Sequence, residues 1–469
     1  MKNQTIAAIS TPLGPGGIGI IRISGPESHP ILKRVFVHKN QGSPTARAKA
    51  PQLPFSSHRL YYGHIVEPLR GHVLDEVLVV FMQAPKSFTR EDVVEIHSHS
   101  GFVVLDRILQ TVVDAGAELA SPGAFTKRAF LNGRIDLAQA EAVIDLINAP
   151  CETAVHLANQ QIRGGMKDAL KGIRRGIDEM KAVCEASIEF EAVEEGDMLP
   201  SKLSQRLKAE TIPSVSKLIQ MQKGAAIYRD GVTLSIAGAP NVGKSSLLNK
   251  LVQNETAIVS EVPGTTRDIV RDHFSINGIP VIVCDTAGIH DTNDPVECMG
   301  IQKAREHFDR SDIILMVLEG TRTLNDFEVK LLQDFTNVKT IAVINKDDIA
   351  DASAVASIQR GVRKRPTIRV SAKTGAGIES LKKMIFEDLV HTPAISLSET
   401  ATPNLRQRRI LEAVHHELTR AVAAAESGQP LDILSEQLSR ASTTLKEISG
   451  KRNQEDLYDH IFNQFCIGK

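Results

Sequence analysis

The stretch GAPNVGKS, Gly238–Ser245, decides the fold of this chain. It satisfies the pattern G-x-x-x-x-G-K-[ST], and it lies between an apolar run, Thr233–Ala237, and the helix-forming run Ser246–Leu251. A strand, a glycine-rich loop and a helix form the context in which this motif binds a nucleoside triphosphate. The glycines let backbone N–H groups turn towards phosphate, and the helix N-terminus adds its positive end. We therefore expect Lys244 to reach the β- and γ-phosphates and Ser245 to ligate Mg²⁺.

The sequence NKDD, Asn345–Asp348, indicates which nucleotide binds, and it follows a second apolar run, Thr340–Ile344. The carboxylate of Asp348 can accept two hydrogen bonds from the N1–H and N2–H₂ groups of guanine, whereas adenine offers no such pair of donors. The tripeptide Ser371–Lys373 follows a third strand-like run, Thr367–Val370, and is typical of the loop that closes over guanine. The predicted ligand is therefore GTP.

Two further motifs lie between the phosphate loop and the guanine motif. In GTTRD, Gly264–Asp268, Thr266 is a candidate ligand of Mg²⁺. In DTAG, Asp285–Gly288, the aspartate ends the apolar run Val281–Cys284, and Gly288 can turn its N–H towards the γ-phosphate. Each motif is placed next to a predicted strand, and strands alternate with helices. We therefore expect a parallel, doubly wound sheet with GTP at the carboxyl ends of its strands.

Ile289 follows DTAG at the position where Ras-like GTPases have a glutamine that orients the attacking water. Isoleucine cannot do this, so either hydrolysis is slow or another group performs the task. Glu297 is a candidate because its carboxylate can orient water, and the alternative is a solvated helix residue. Asn241 is a candidate because its side-chain oxygen can help to hold a monovalent cation against the phosphates. The alternative for Asn241 is that it favours the turn, and the residues alone leave both questions open.

The composition indicates a globular protein of several domains. The chain has 469 residues, of which 42% are hydrophobic and 24% charged, and its formal net charge is −1. A net charge so close to zero gives no general attraction to nucleic acid, so any RNA contact must use a local patch. The five cysteines form no C-x-x-C pair, which fits a reduced, cytoplasmic protein. No apolar run has the length needed to span a membrane, and we expect no membrane partner.

Four segments are predicted along the chain. Residues 1–119 are rich in strands, residues 120–220 are helical, residues 221–389 hold the GTP-binding domain, and residues 390–469 are again helical. A GTP-binding domain with helical sequence on both sides indicates insertion into one helical domain. We therefore predict a multidomain fold, α/β plus α, in which the C-terminal helices pack against those of residues 120–220.

Segments outside the GTP-binding domain resemble the MnmE (TrmE) family of tRNA-modification GTPases over nearly the whole chain. They are GIIRISG (Gly19–Gly25), SFTRED (Ser87–Asp92), RAFLNGRIDL (Arg128–Leu137) and FCIGK (Phe465–Lys469). These segments separate this family from other GTPases that share the nucleotide-binding domain. The resemblance implies a P-loop, Ras-like G domain inserted into a helical domain. It also implies an α+β N-terminal domain that binds tetrahydrofolate and forms a homodimer.

The resemblance further implies an activity. Members of the family work with a flavin-containing partner, MnmG (GidA), to add an aminomethyl or carboxymethylaminomethyl group at C5 of the wobble uridine of certain tRNAs. A heterotetramer or larger complex of the two proteins is implied, with a one-carbon unit from 5-formyl- or methylene-tetrahydrofolate. The expected protein is thus a GTP hydrolase that uses Mg²⁺ and K⁺ in the cytoplasm.

By resemblance, GTP is hydrolysed when two G domains meet across their switches. Glu297 matches the acidic residue that orients water, and Ile289 matches the family's hydrophobic replacement of glutamine. The predicted catalytic residues are Glu297, Lys244 and Asn241. The predicted metal ligands are Ser245 and Thr266 for Mg²⁺, and Asn241, Ser260, Val262 and Thr265 for K⁺. The predicted GTP contacts are Asn241, Val242, Gly243, Lys244, Ser245, Ser246, Ser260, Glu261, Val262, Pro263, Gly264, Thr265, Thr266, Asp285, Thr286, Ala287, Gly288, Asn345, Lys346, Asp348, Ser371, Ala372 and Lys373.

The folate site is also assigned by resemblance. Arg22, Glu95, Arg134 and Lys469 match folate-contact positions, although the family often has lysine where Arg134 stands. Cationic groups suit the folate carboxylates, and Glu95 suits the donor-rich edge of the pterin. Cys466 matches the family's C-terminal cysteine. Cys466 could act in the modification chemistry, or it could serve only as a small apolar residue. The sequence leaves both alternatives open.

Two other classes of protein compete with this prediction. A ribosome-assembly GTPase of the Era or EngA kind would bind RNA without modifying it. No G-x-x-G signature of a KH domain follows the G domain, and the sequence has no second G domain. The other class is a folate-binding structural module with a degenerate GTPase.

Overall fold

The structure is a computed structural model. It describes residues 4–14, 16–38, 55–68, 70–189, 199–253, 272–284, 308, 311–335, 338–362, 365–389, 401–450 and 455–469. The chain divides into two compact units. We call Met1–Ile144 with Thr443–Lys469 the terminal unit, and Asp145–Ser442 the central unit.

The described residues form strands and helices throughout both units. The strands are β1 (Ile6–Ile9), β2 (Gly19–Ser24), β3 (Phe36–His38), β4 (Leu60–Val66), β5 (Val73–Met82), β6 (Val93–Ser98), β7 (Glu118–Leu119), β8 (Val232–Ala237), β9 (Asp272–Ile276), β10 (Ile279–Cys284), β11 (Ile313–Glu319), β12 (Thr340–Asn345) and β13 (Thr367–Arg369). The helices are α1 (Ser28–Val35), α2 (Phe102–Asp114), α3 (Ala124–Leu131), α4 (Leu137–Ile147), α5 (Glu152–Ile162), α6 (Gly165–Glu189), α7 (Leu199–Arg206), α8 (Ile212–Arg229), α9 (Lys244–Val252), α10 (Asp326–Asp334), α11 (Ala352–Gly361), α12 (Ile378–Leu389), α13 (Leu405–Glu426), α14 (Leu431–Ile448) and α15 (Glu455–Phe462).

The terminal unit is built on a seven-stranded sheet in the order β3-β4-β5-β6-β2-β1-β7. Every neighbouring pair is antiparallel except β1 with β7, which is parallel. Alternate residues of the central strands point to one face, as the two-residue period of a strand requires. On that face Ile21, Ile23 and Ile96 form a core with Leu105 and Ile108 of α2. On the other face Arg22 of β2 pairs with Glu95 of β6, and Ile6 and Ala8 of β1 pack with Phe125.

The end of the chain belongs to the terminal unit. Helix α15 packs beside α3 and α4, where Tyr458 and Phe462 join Leu137 in a small apolar core. The final residues then return to β1, and Ser10 Oγ donates to Gly468 O at 3.1 Å. Gly468 has φ +91°, and a Cβ there would lie 2.3 Å from Ile9 O. The close approach of two backbones therefore requires glycine at this position.

The central unit contains a six-stranded sheet in the order β13-β12-β11-β8-β10-β9. Neighbouring strands are parallel, except that β9 at the edge is antiparallel to β10. Six of the seven residues of β11 are buried, which is the pattern of a strand covered on both faces. Helices α9 and α12 contribute to the core on one face, and α10 and α11 to the core on the other. The doubly wound sheet that the motifs predicted is present, with the antiparallel edge strand β9 as an addition.

The helices of the central unit bear on the prediction that the C-terminal helices pack against those of residues 120–220. Helix α13 packs against α7 and α8, and Arg408 Nη1 donates to Gln222 Oε1 at 3.1 Å. Ser204 Oγ also donates to Glu426 Oε1 at 3.2 Å. The C-terminal helix α13 therefore does pack against helices of residues 120–220.

The two units cut across the predicted segments. Residues 120–144 and 443–469 are grouped with the terminal unit, whereas the sequence places them in the helical domain. Helix α15 lies on α3 because its apolar face is completed by Phe130, whose ring centre is 5.1 Å from that of Tyr458. The four-part division remains a prediction. In the described part of the chain, no helix is both long enough and apolar enough to cross a bilayer.

Candidate functional site

The phosphate loop joins the end of β8 to the start of α9, and two of its glycines have positive φ angles. Gly238 has φ +150°, and a Cβ there would lie 2.3 Å from Val317 O. Gly243 has φ +95°, and its Cβ would lie 2.4 Å from Asn345 Nδ2. Any larger residue would push the loop away from the sheet. The glycine spacing therefore follows from close contact with β11 and β12.

Lys244 begins α9 and lies over the loop. Its Nζ donates to the carbonyl oxygens of Gly238 and Ala239, both at 2.8 Å. Burial lowers the pKa of the Lys244 amine. Asn241 is exposed with φ +64°, and Ser245 is exposed in the first turn of α9. These polar groups lie at the helix N-terminus, where the backbone favours an anion.

Asn345 ties the phosphate loop to the guanine motifs. It ends β12 and is only 2% exposed. Its Nδ2 donates to Val242 O at 2.8 Å, and its Oδ1 accepts from the backbone N–H of Ala372 at 3.0 Å. Three segments that are distant in sequence are thus held together by one amide. This side chain therefore helps to set their relative positions.

Asp348 is held by the third segment. Ser371 Oγ donates to Asp348 Oδ1 at 2.7 Å, and this hydrogen bond keeps the pKa of the Asp348 carboxyl below its usual value. Thr374 N in turn donates to Ser371 Oγ at 3.2 Å. The carboxylate is therefore ionised and oriented, as acceptance of two N–H groups requires.

Lys346 is positioned by a carboxylate that sequence reasoning missed. It has φ +63°, and its Nζ donates to Glu319 Oε1 at 2.5 Å. The pKa of the Glu319 carboxyl is lowered, first by this hydrogen bond from Lys346. Glu319 ends β11, and its place after the buried run Ile313–Leu318 is the signal that could have pointed to it.

Ser246 and Lys373 are both exposed, in α9 and after Ala372 respectively. Most of the other predicted GTP and metal residues fall outside the described residues. They are Ser260, Glu261, Val262, Pro263, Gly264, Thr265, Thr266, Asp285, Thr286, Ala287, Gly288 and Glu297, together with Ile289. Within the described ranges, no group of three or more His, Cys, Asp or Glu residues is arranged to hold a metal ion. Of the two residues predicted to ligate Mg²⁺, Ser245 lies within the described residues, exposed in the first turn of α9.

Arg22 and Glu95, two of the four predicted folate residues, form an ion pair. They are cross-strand partners on β2 and β6, and Arg22 Nε donates to Glu95 Oε1 at 2.9 Å. The pKa of the Glu95 carboxyl is lowered by the His97 imidazole, whose Nε2 lies 3.6 Å from Oε2, and by the Arg22 guanidinium. The paired groups are about one-fifth exposed, at 19% and 18%. They therefore remain accessible to a ligand.

The other predicted folate residues lie around the same point. The guanidinium of Arg134 is 4.9 Å from the centre of the Phe88 ring, and that of Arg22 is 6.0 Å from it. Lys469 O accepts from Phe125 N at 3.1 Å, and Arg22 Nη1 donates to Gly468 O at 3.4 Å. The structure thus brings Arg22, Glu95, Arg134 and the backbone of Lys469 into one region. Cys466, two residues before Gly468, is exposed.

Comparison with known proteins identifies the family. The family described as the MnmE helical domain matches residues 137–466, and the one described as the GTP-binding protein TrmE N-terminus matches residues 5–134. The tRNA modification GTPase MnmE of Desulfotalea psychrophila is 41% identical over 471 residues, covering 100% of this chain and 98% of that protein. The chain belongs to the MnmE family of tRNA modification GTPases.

A second relative is similar over the whole chain. The tRNA modification GTPase MnmE of Carboxydothermus hydrogenoformans is 39% identical over 472 residues, covering 100% of both proteins. Among solved structures, Aquifex aeolicus Era bound to GDP and aluminium fluoride is 28% identical, with 40% of this chain and 66% of that chain covered and a TM-score of 0.29. Membership in the MnmE family confirms the predicted fold class and the prediction of a GTP hydrolase.

Sequence reasoning on the MnmE-like N-terminal segments missed Phe88 and the cations around it. Phe88 lies within the segment Ser87–Asp92, but the sequence alone predicted no function for it. Lys86 and Arg90 flank it at a spacing of two residues on each side. An aromatic residue between two cations is the signal that could have identified this surface.

Proposed function

We propose that this chain is a K⁺-activated GTPase that works with a flavin-containing MnmG (GidA) partner. Together they would modify the wobble uridine of certain tRNAs at C5, using a one-carbon unit carried by tetrahydrofolate. Membership in a family of tRNA modification GTPases supports GTP hydrolysis and a role in tRNA modification. The observation that carries the proposal is the nucleotide site joined by Asn345, which binds Val242 O and Ala372 N.

The guanine end of this site supports GTP as the substrate. The Asp348 carboxylate is ionised and held by Ser371 at 2.7 Å. It can pair with the N1–H and N2–H₂ groups of guanine, whereas adenine would leave the carboxylate without a donor. The selectivity of the site for GTP over ATP therefore depends on one side chain.

The phosphate end supports a role for K⁺. Asn241 is exposed in the loop, so its amide oxygen is available to a cation at the phosphates. K⁺ held there would supply positive charge as an arginine finger does in other GTPases. Glu297 would orient the attacking water in place of the glutamine that Ile289 replaces. Mg²⁺ held by Ser245 and Thr266 would neutralise the β- and γ-phosphates when it is bound.

The terminal unit supports folate use. Glu95 accepts hydrogen bonds and can receive the donor-rich edge of a pterin, while Arg22 and Arg134 offer positive charge to the folate carboxylates. A homodimer formed through residues 1–119, a larger complex with the flavoprotein, and a cytoplasmic location belong to the same proposal. Cys466 is exposed and available for a role in the modification chemistry.

GTP turnover in KCl and in NaCl at equal ionic strength tests the cation. We expect at least tenfold faster turnover in KCl, since loss of one such charge-stabilising contact costs about 10²–10³ in rate. Asn241→Ala should remove most of the stimulation. Asn277→Ala is a matched control, because Asn277 also has a left-handed backbone, φ +49°, but lies in the turn between β9 and β10. Equal rates in the two salts would exclude the K⁺ mechanism.

The cellular product tests the tRNA role. Mass spectrometry of wobble nucleosides should show loss of the modified uridine in cells that lack this chain, and rescue by wild type but not by Glu297→Ala. Unchanged wobble uridines together with co-purification of ribosomal subunits would favour an Era- or EngA-like assembly factor instead. The relatives' names do not favour that alternative.

A further inference from the structure

A cleft of about 540 Å³ opens in the terminal unit beside Phe88. Its lining includes the cations Lys86, Arg90 and Arg134, the imidazole of His58, and the apolar side chains of Met82 and Phe88. None of the lining residues carries a carboxylate. The cleft therefore combines an apolar wall with an excess of positive charge.

The positive charge of the cleft is not neutralised by its neighbours. In the described part of the chain, Lys86, Arg90 and Arg134 have no carboxylate partner, and the two nearest acidic residues in sequence are engaged elsewhere. Glu91 Oε2 accepts from Arg128 at 2.8 Å, and Asp92 Oδ1 accepts from Ala84 N at 2.8 Å. Burial and the nearby charge of Arg90 lower the pKa of Arg134. An anion in the cleft would relieve this repulsion.

The backbone at the cleft is held in a strained conformation. His58 has φ +63° and Arg90 has φ +60°, angles that residues other than glycine rarely adopt. Of the three other described non-glycine residues with positive φ, Asn241 and Lys346 lie in the nucleotide site, and Asn277 lies in the turn between β9 and β10. Such strain is found preferentially where a ligand is held. Arg90 lines the cleft, and its Nη1 donates to Asn132 O at 3.0 Å.

The cleft shares a wall with the Arg22–Glu95 pair. The Phe88 ring lies between them, 6.0 Å from the Arg22 guanidinium and 4.9 Å from that of Arg134. A ligand whose donor-rich end meets Glu95 can therefore extend past Phe88 into the cleft. Its far end would need several negative charges to match Lys86 and Arg90.

We propose that this cleft binds the γ-linked glutamate chain of a polyglutamylated tetrahydrofolate. Each added glutamate brings one further carboxylate, so the negative charge of the ligand grows along the direction in which Lys86 and Arg90 lie. This inference rests on the proposed use of folate. It predicts that this protein binds polyglutamylated tetrahydrofolate more tightly than the monoglutamate.

Binding of 5-formyltetrahydrofolate as its monoglutamate and its pentaglutamate tests the preference. Wild type should bind the pentaglutamate roughly tenfold more tightly, with a gain that shrinks as salt is raised. The double variant Lys86→Gln with Arg90→Asn should lose this gain and keep its monoglutamate affinity within about twofold. Asparagine is chosen at position 90 because it tolerates the left-handed backbone.

A second double variant provides the matched control. Lys33→Gln with Arg70→Gln removes the same charge from the terminal unit at positions outside the cleft lining. This control variant should still bind the pentaglutamate roughly tenfold more tightly than the monoglutamate. An equal loss in both double variants would show a general charge effect and overturn the proposal, as would a gain that survives in Lys86→Gln with Arg90→Asn.

The two folate forms separate this inference from the proposed function. Binding of neither form by wild type would overturn both. Measurable monoglutamate binding with no gain from the longer tail would overturn the cleft assignment alone. Weaker tRNA binding by the cleft variant, with no change in the glutamate series, would show that the cleft binds RNA and that the proposal is wrong.

Discussion

At the scale of single residues, Asp348 sets the identity of the nucleotide. Asp348→Asn should weaken GTP binding about 100-fold or more, because the amide NH₂ meets a donor group of guanine. The same variant should bind xanthosine triphosphate, whose C2 oxygen accepts from that NH₂. Competition between the two nucleotides measured by fluorescence would check this. Undiminished GTP affinity in Asp348→Asn would contradict the assignment.

The neighbouring residue supplies the control for this prediction. Asp347 accepts from Arg369 Nε at 2.6 Å and is engaged away from Ser371. Asp347→Asn removes one charge one position earlier, so it should leave GTP affinity within about threefold, the size of a surface ion-pair effect. Any large loss in both variants would point to collapse of the segment instead of lost recognition.

The buried thiol of Cys184 should make the free energy of unfolding depend on pH. Burial raises the pKa of its thiol from 9.0 to about 11. Because the folded state binds the proton more tightly, the contribution to stability is complete below about pH 9 and is lost as the pH rises towards about 11. Chemical unfolding between these pH values should show a steeper fall for wild type than for Cys184→Ala. Parallel curves would contradict the prediction.

At the scale of elements, the N-terminus of α3 depends on a glycine. Gly123 has φ +65°, and a Cβ there would lie 2.3 Å from Phe462 O at the end of α15. Gly123→Ala should therefore destabilise the terminal unit by about 3 kcal/mol, combining left-handed strain with a steric clash. Thermal unfolding of the terminal unit would measure this.

Gly71→Ala separates the two causes. Gly71 has φ +70°, and a Cβ there would have nothing within 4 Å. Only the strain remains, so the expected loss is about 1–2 kcal/mol. If Gly71→Ala and Gly123→Ala were equally costly, the contact with α15 would contribute nothing.

The strands that carry motifs were predictable, and the short edge strands were not. The runs at β8 and β12 are apolar, the run at β13 is strand-like, and each is followed by a recognisable motif, so the positions of Lys244, Asn345 and Ser371 followed from the sequence. Strands β3, β7 and β9 are two to five residues long, and no motif marks them. Their pairing is set by partners far along the chain, which a local pattern does not contain. Helix α1 was missed for a related reason, since its buried residues are interrupted by Pro30.

The folate region illustrates the same limit within a site. Arg22 and Glu95 were assigned only through resemblance, because 73 residues separate them and the sequence does not reveal that β2 pairs with β6. The role of Phe88 as a shared wall depends on the same pairing and on α3. The assignment of Glu297 and Ile289 stays a prediction, since both lie outside the described ranges.

At the scale of the whole molecule, the terminal unit depends on the last residues of the chain. Tyr458, Ile461, Phe462 and Phe465 are buried against Leu137, and burial of each is worth about 1.5–3 kcal/mol. Deletion of residues 451–469 should therefore unfold or severely loosen the terminal unit. Limited proteolysis should show rapid cleavage within residues 1–144.

The central unit should survive the same deletion. Its nucleotide site is built from one continuous segment, Asp145–Ser442. GTP affinity of the shortened protein should stay within about twofold of wild type, because no contact of Asn345, Asp348 or Lys244 is removed. Loss of GTP binding would contradict this independence.

The return of the C-terminal segment to β1 also has a consequence for synthesis in the cell. Domains generally fold in the order in which they leave the ribosome. Here residues 1–144 are synthesised long before Gly468 and α15, which complete their unit. The central unit, although begun later, can be complete before then. The apolar surface of α3 and α4 therefore stays exposed while the G domain is translated, and this surface is where we expect the nascent chain to need a chaperone.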